Sequence, residues 1–202
     1  MSAVATHTIS VAEYLAWERA GTTKHEYYAG TIIALAGSSE AHNLITTNLI
    51  TTLNTHVANR PCKVYPSDMR LRIPHTKTYT YPDITVVCGP SEFDDAEFDT
   101  LLNPLVLIEI LSPATERNDR GRKFHQYQTI PTVREYILVE QDEHRVDQYI
   151  KQDDGSWIFR AHIAPTSTCL IESLDCAIPL HVMYHKVDLD PPQAVDHANE
   201  HQ

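Results

Sequence analysis

Leu105-Val106-Leu107-Ile108-Glu109-Ile110-Leu111 is an apolar run with one acid inside it. Short aliphatic runs that are apolar at both parities read as strands covered on both faces. An unpaired carboxylate is costly in such a strand, so Glu109 should be protonated, paired with a cation or bound to a metal. A second run upstream, Tyr81-Pro82-Asp83-Ile84-Thr85-Val86-Val87, opens with another acid. If the two strands are antiparallel neighbours with residue 87 facing 105, residue 83 faces 109 on the same side of the sheet. Directly opposed Cβ atoms lie roughly 4.5–5.5 Å apart. Two carboxylates at that distance repel unless something positive sits between them, and Mg²⁺ takes one or two carboxylates, waters and phosphate oxygens. Asp83 and Glu109 are therefore candidate metal ligands. Alone, Asp83 would read as a solvated strand end; its place opposite Glu109 singles it out.

A cation follows closely. Ser112-Pro113 ends the Glu109 strand, and 116–130 is predicted as a helix with Phe124, Tyr127 and Ile130 on one side. Asp119, Lys123 and Tyr127 recur at i, i+4 and i+8 and share a face. Lys123 there either polarises an attacking water or holds a phosphate oxygen, or it pairs with Asp119 on a solvated face.

The rest of the chain supplies a frame. Ser10 and Glu13 form a capping-box pattern ahead of Val11, Tyr14 and Leu15. Residues 26–28 and 31–36 read as a hairpin around Ala29-Gly30. Leu44, Ile45, Leu49, Leu53 and Val57 mark a helix from 41 to 57, with Ser38 or Ser39 as its cap and His42 in its first turn. Residues 63–65 and 69–73 read as one strand broken near Pro66, its polar face carrying Asp68, Arg70 and Arg72. Further strands are predicted over 135–140, 145–150 and 156–161, the last two joined at Asp153-Asp154-Gly155. Short strands near 169–171 and 177–178 finish the fold. A tail to residue 9, one domain over 10–185 and a loose acidic tail over 186–202 are the expected organisation.

Composition sets further bounds. At 202 residues the chain can fill one core. No apolar stretch is long enough to span a membrane, and the first residues lack a signal-peptide pattern, so a cytoplasmic protein is expected. Cys62, Cys88, Cys169 and Cys176 show no C-x-x-C spacing, which speaks against a zinc ribbon. Two of them lie in apolar runs, where a free cysteine behaves as a small hydrophobe. The formal net charge is −11, whereas a dedicated duplex binder carries a basic surface. The charge is uneven: Glu92, Asp94, Asp95, Glu97 and Asp99 crowd one loop, while Arg117, Arg120, Arg122 and Lys123 cluster beside the candidate site. A glycosidase is disfavoured because paired carboxylates there need no adjoining lysine, and a serine hydrolase because Ser112-Pro113 is no nucleophile elbow.

Together these residues resemble the PD-(D/E)XK nuclease superfamily. Pro82-Asp83 matches the first element and Glu109-Ile110-Leu111 the second, with Leu111 where lysine is expected. Within that superfamily the chain is similar, over roughly 10–180, to the Uma-type restriction endonuclease group, in which the lysine moves onto the following helix. His25-Glu26 with Gly30, His42, Ser67-Asp68, Pro82-Asp83, Glu109 with Ser112-Pro113 and Thr115, then Asp119, Lys123, Tyr127 and Glu135-Tyr136 carry the match. Residues 129–134, Ile137 and Glu140 depart from the family pattern.

The resemblance implies an α/β (α+β) fold: a restriction-endonuclease-like core, its mixed central sheet flanked by helices, with extra C-terminal β-hairpins. It implies cleavage of DNA phosphodiester bonds, with Asp83 and Glu109 on Mg²⁺ or Mn²⁺ and Lys123 as the migrated catalytic lysine. Glu26 becomes a further acid, either a water-mediated ligand or an anchor for the site, and His42 orients a water or phosphate. Arg120, Tyr127 and Asp68 are candidate substrate contacts. A homodimer is expected. The alternative is a non-catalytic nucleic-acid or protein interaction module on the same fold.

Overall fold

A computed structural model describes residues 8–189. Helix α1 (Val11–Ala20) starts at the expected capping box: Ser10 Oγ accepts from the Glu13 amide and the Glu13 carboxylate accepts from the Ser10 amide. Strands β1 (His25–Tyr28) and β2 (Thr31–Ala34) form the hairpin. Ala29 and Gly30 both take positive φ, which suits the glycine and strains the alanine. Helix α2 (Glu40–Val57) is capped by Ser39 and buries Ile45, Leu49, Leu53 and Val57. Next come β3 (Cys62–Pro66), β4 (Arg70–Ile73), β5 (Thr78–Thr80), β6 (Ile84–Cys88), β7 (Thr100–Leu101) and β8 (Val106–Ile110). After α3 (Glu116–Asn118), a π-helical turn (Asp119–Lys123) and α4 (Phe124–Tyr127), the chain adds β9 (Glu135–Val139), β10 (Arg145–Lys151), β11 (Trp157–Ile163), β12 (Thr168–Ile171), β13 (Cys176–Pro179) and α5 (Leu180–Met183).

The fold is mixed α+β. The central sheet has six strands in the order β11-β10-β9-β8-β6-β3. Its β8–β9 pair is parallel and its other pairs are antiparallel. A parallel pair needs a crossover, and this one carries the helical segment 116–127 onto one face of the sheet. Along β8, Val106, Ile108 and Ile110 face the core formed with α2, β12, β13 and α5. Leu107 and Leu111 face the other core, where Tyr127, Ile130 and Val133 pack. Period-two alternation therefore puts Glu109 on the helical-segment side, and the strand is covered on both faces as read.

Several elements differ from expectation. The chain break near Pro66 is not a bulge in one strand: β3 is an edge of the central sheet, and β4 belongs to a five-stranded sheet ordered β2-β1-β5-β4-β7. The acidic loop is partly ordered into that sheet, since β7 pairs in parallel with β4. The helix after β8 stops at Tyr127; Pro131 disfavours helical geometry for Ile130 before it. Cys62 and Cys88 are cross-strand partners joined by a disulfide, while Cys169 and Cys176 are free and buried. Val187 and Leu189 still pack against the core, and residues 190–202 of the expected tail lie outside the described residues. Among the described residues, no helix is long and apolar enough to cross a membrane.

Leu53 is fully buried on α2 and Leu44 only half-buried. Leu53→Ala should cost about 2–5 kcal/mol in urea unfolding and Leu44→Ala distinctly less. Equal losses would mean that α2 presents a different face to the sheet.

Candidate active site

The β6–β8 register pairs Ile84 with Ile108, Thr85 with Leu107 and Val86 with Val106. Extending it by one residue sets Asp83 opposite Glu109, the geometry expected from sequence. Both carboxylates line a cleft of about 410 Å³. Asp83 Oδ2 accepts from the Ile110 amide at 2.8 Å and lies 3.2 Å from His42 Nε2. His42 reaches it from the first turn of α2, where Ser39 caps the helix by accepting from the His42 amide.

Beneath the cleft is a buried ion cluster. Lys123 Nζ lies 3.0 Å from Glu109 Oε1, 3.0 Å from Asp119 Oδ1 and 3.4 Å from Glu26 Oε1. The π turn carries Asp119 and Lys123 together on the face turned toward the sheet, a frequent use of such turns at functional sites. Lys123 is 5 % exposed and Glu109 3 %. Burial opposes the lysine's charge, but Glu109, Glu26, Tyr127 and Asp119 outweigh it and hold the ammonium well above the ordinary lysine range. Burial pushes the Glu109 carboxyl well up; Lys123 pulls it down, while Asp119, Asp83 and Glu26 add to the rise. Asp119 is raised by burial against the pull of Lys123. Glu26 is also buried, yet Lys123, Thr80, Tyr28 and the Tyr81 amide hold it below the usual range.

The other sequence candidates separate. Glu26 is not among the cleft-lining residues; hydrogen bonds from Thr80 and Tyr28 fix it behind Lys123, so of its two expected roles the geometry fits the anchor. Tyr127 is fully buried and donates to Glu109 Oε1 at 2.8 Å. It orients that carboxylate and is not placed to touch a substrate. Arg120 is engaged by Glu116, Glu140 and Asp147 and is not among the cleft-lining residues, so the cleft does not present it as the expected substrate contact. Asp68 is not among the cleft-lining residues; its side chain is 87 % exposed and pairs with Lys24. Sequence reasoning missed Lys24, Tyr81 and Gln141 in the cleft wall, and the Tyr28 and Thr80 hydroxyls that hold Glu26. The alternation of Glu26 and Tyr28 on one strand face was the available signal for the tyrosine.

The donor set can be tested against a metal. Among the described residues, no group of three or more His, Cys, Asp or Glu side chains is placed to hold one. A closed zinc-type site therefore does not fit. Two cleft carboxylates with water completing the shell suit Mg²⁺. The charges agree: Glu109, Asp119 and Glu26 surround one ammonium, Asp83 lines the same cleft, and buried Asp119 Oδ1 makes no well-formed hydrogen bond.

Residues 11–174 match the family model Uma2, described as "Putative restriction endonuclease". The uncharacterized protein slr1290 of a Synechocystis strain is 35% identical over 176 residues, 87% of this chain and 91% of that protein. A second Synechocystis protein, sll1609, is 37% identical over 158 residues, 78% of this chain and 89% of its own length. A crystal structure from Anabaena variabilis, described as a "putative nuclease belonging to DUF820", superposes with a TM-score of 0.71 at 21% identity, covering 87% of this chain and 97% of that one. That likeness extends to the fold. With its match over 11–174, the chain belongs to the Uma2 family.

Proposed function

We propose that the protein is a metal-dependent endonuclease that hydrolyses DNA phosphodiester bonds. The observation carrying this reading is the pairing of Asp83 and Glu109 across β6–β8, beside an ammonium that reaches the same cleft from below. Family membership and the shared fold support it.

Asp83 and Glu109 would hold the Mg²⁺ or Mn²⁺. Glu109 has Oε1 engaged by Lys123 and Tyr127, which leaves Oε2 for the ion. When bound, the ion would lower the pKa of a coordinated water and offset charge developing on the phosphate. Lys123 would donate a hydrogen bond to the attacking water or to a non-bridging phosphate oxygen, stabilising the charge that grows during attack. Its three carboxylate contacts fix the ammonium in place and keep it protonated. Asp119 and Glu26 act through Lys123, as positioning residues. The Ile110 amide and His42 orient Asp83 in the same sense.

The interaction-module alternative has one observation in its favour, the net charge of −11, and metal binding separates the two. Mg²⁺ about tenfold above its Kd should raise the thermal midpoint of the wild-type protein by about 3–6 °C. Asp83→Ala should abolish that shift. A midpoint indifferent to Mg²⁺ and Mn²⁺ would favour the inert scaffold.

Plasmid DNA offered with Mg²⁺ or Mn²⁺ is expected to be nicked or cut by the wild-type protein. Asp83→Ala and Glu109→Gln should lower the rate at least about 100-fold. Equal cleavage by all three proteins would assign the activity to a contaminant and defeat the reading.

Lys123→Met leaves three carboxylates buried around an apolar side chain. Chemical denaturation in EDTA should show a loss of about 3–5 kcal/mol. Adding Glu109→Gln should recover part of it, because one of the unpaired charges is gone. No loss in the single variant would mean that the ion cluster is solvated and the helical segment sits elsewhere.

A further inference from the structure

An acidic cleft that receives a polyanion needs a cation able to change partners. The basic side chains lining the cleft are Lys24, His42 and Lys123. Lys123 is enclosed by three carboxylates, and His42 lies against Asp83. Lys24 is different. It leaves the chain just before β1, and its side chain is 38 % exposed at the cleft wall. Its Nζ donates to Ser67 O and Ser67 Oγ, both at 3.2 Å, and to Asp68 Oδ1 at 3.0 Å; it also sits 5.7 Å from the centre of the Tyr81 ring. Two of the three hydrogen bonds are to neutral groups. The one charged partner is the largely exposed Asp68, and an ion pair so open to water contributes little and exchanges readily.

We infer that Lys24 receives a backbone phosphate of the nucleic-acid strand at the wall of the cleft, and that Asp68 is the counter-ion this phosphate displaces. The inference rests on the nuclease reading and adds to it the group that brings the strand in. It also gives Asp68 a role that direct substrate contact does not. With the cleft empty, the carboxylate holds the ammonium against Ser67. When a strand enters, the phosphate takes the same hydrogen atoms, and the Ser67 contacts keep the side chain in position while partners change. Charge-assisted hydrogen bonds to phosphate are strong enough to drive that exchange. No other basic side chain in the cleft wall has both an open approach and a replaceable acid.

The test uses the full chain and fluorescence anisotropy, with labelled duplex DNA, single-stranded DNA and RNA in Ca²⁺ buffer over a salt series, beside KM and kcat in Mg²⁺. Lys24→Met should weaken binding about tenfold and reduce the salt slope by about 0.9 on duplex or 0.7 on single strands. It should raise KM with kcat nearly unchanged, and Lys24→Arg should restore most of the affinity. Asp68→Asn should move the other way, tightening binding about two- to fivefold, because the competing charge is removed. Lys151→Met, a lysine beside Trp157 outside the cleft, serves as the control. If Lys24→Met and Asp68→Asn weaken binding equally, the pair only supports the fold and the inference fails while the nuclease reading stands. Affinity and salt slope in Lys24→Met indistinguishable from the Lys151→Met control would also defeat it. A wild-type protein that binds none of the three nucleic acids would overturn both.

Discussion

Lys123 carries the only ammonium in a buried group that also holds Glu26, Glu109 and Asp119, and the arrangement of the chain around it follows from that charge. Removing a charge from water costs several kcal/mol unless partners surround it in good geometry. Here the partners come from β1, from β8 and from the helical segment itself, so one ammonium ties the two sheets to the crossover between β8 and β9. Each acid is held in turn. Thr80 and Tyr28 fix Glu26, and Tyr127 fixes Glu109. The π turn belongs to the same requirement, since Asp119 and Lys123 must face inward together. A cluster restrained from so many sides is rigid, and rigidity is what a catalytic constellation needs.

The cluster also has too few positive charges for its acids, and its open side faces the cleft. That imbalance, more than the net charge of the chain, decides what the cleft can hold. Much of the chain's acidity is engaged elsewhere. Asp95 and Asp99 bind Arg19, Asp99 also binds Arg70, and Asp94 binds Arg72. These pairs fasten the acidic loop to α1 and β4. A second polar network lies beneath the same helix: Glu18 accepts from Tyr81 and from the His25 amide, and Arg70 donates to Tyr81. Tyr81 therefore touches the cleft with its ring and the α1 network with its hydroxyl.

Some of this is legible in the sequence. A carboxylate in a strand apolar at both parities can hardly be a solvated residue, so Glu109 declared itself. The supposed register, residue 87 opposite 105, sets Asp83 against Glu109, and the β6–β8 pairing has that register. The i, i+4 spacing brought Asp119 to Lys123, the capping box placed α1, and a serine cap with apolar periodicity placed α2. Arg120 and Tyr127 were harder to read. Their types and spacing suit substrate contact, and only packing showed that three acids enclose the one and that the other is sealed against Glu109.

Local chemistry thus singled out Glu109 and put Asp119 and Lys123 on one face, since strand period, helix period and the cost of a buried charge all act over short stretches. Tertiary structure decided the rest. Whether Asp68 belongs to the cleft depended on β3 and β4 lying in different sheets. The Cys62–Cys88 bond depended on β3 lying beside β6, and the place of Glu26 behind Lys123 depended on how the five-stranded sheet meets the helical segment. These contacts join residues far apart in sequence, and no local periodicity encodes which distant surface a side chain will meet. The candidacy of Asp83, Glu109 and Lys123 was legible in the chain, and their meeting depended on β6 pairing with β8 and on the helical segment reaching Glu109. The walls that tell the cleft what to admit were set by packing.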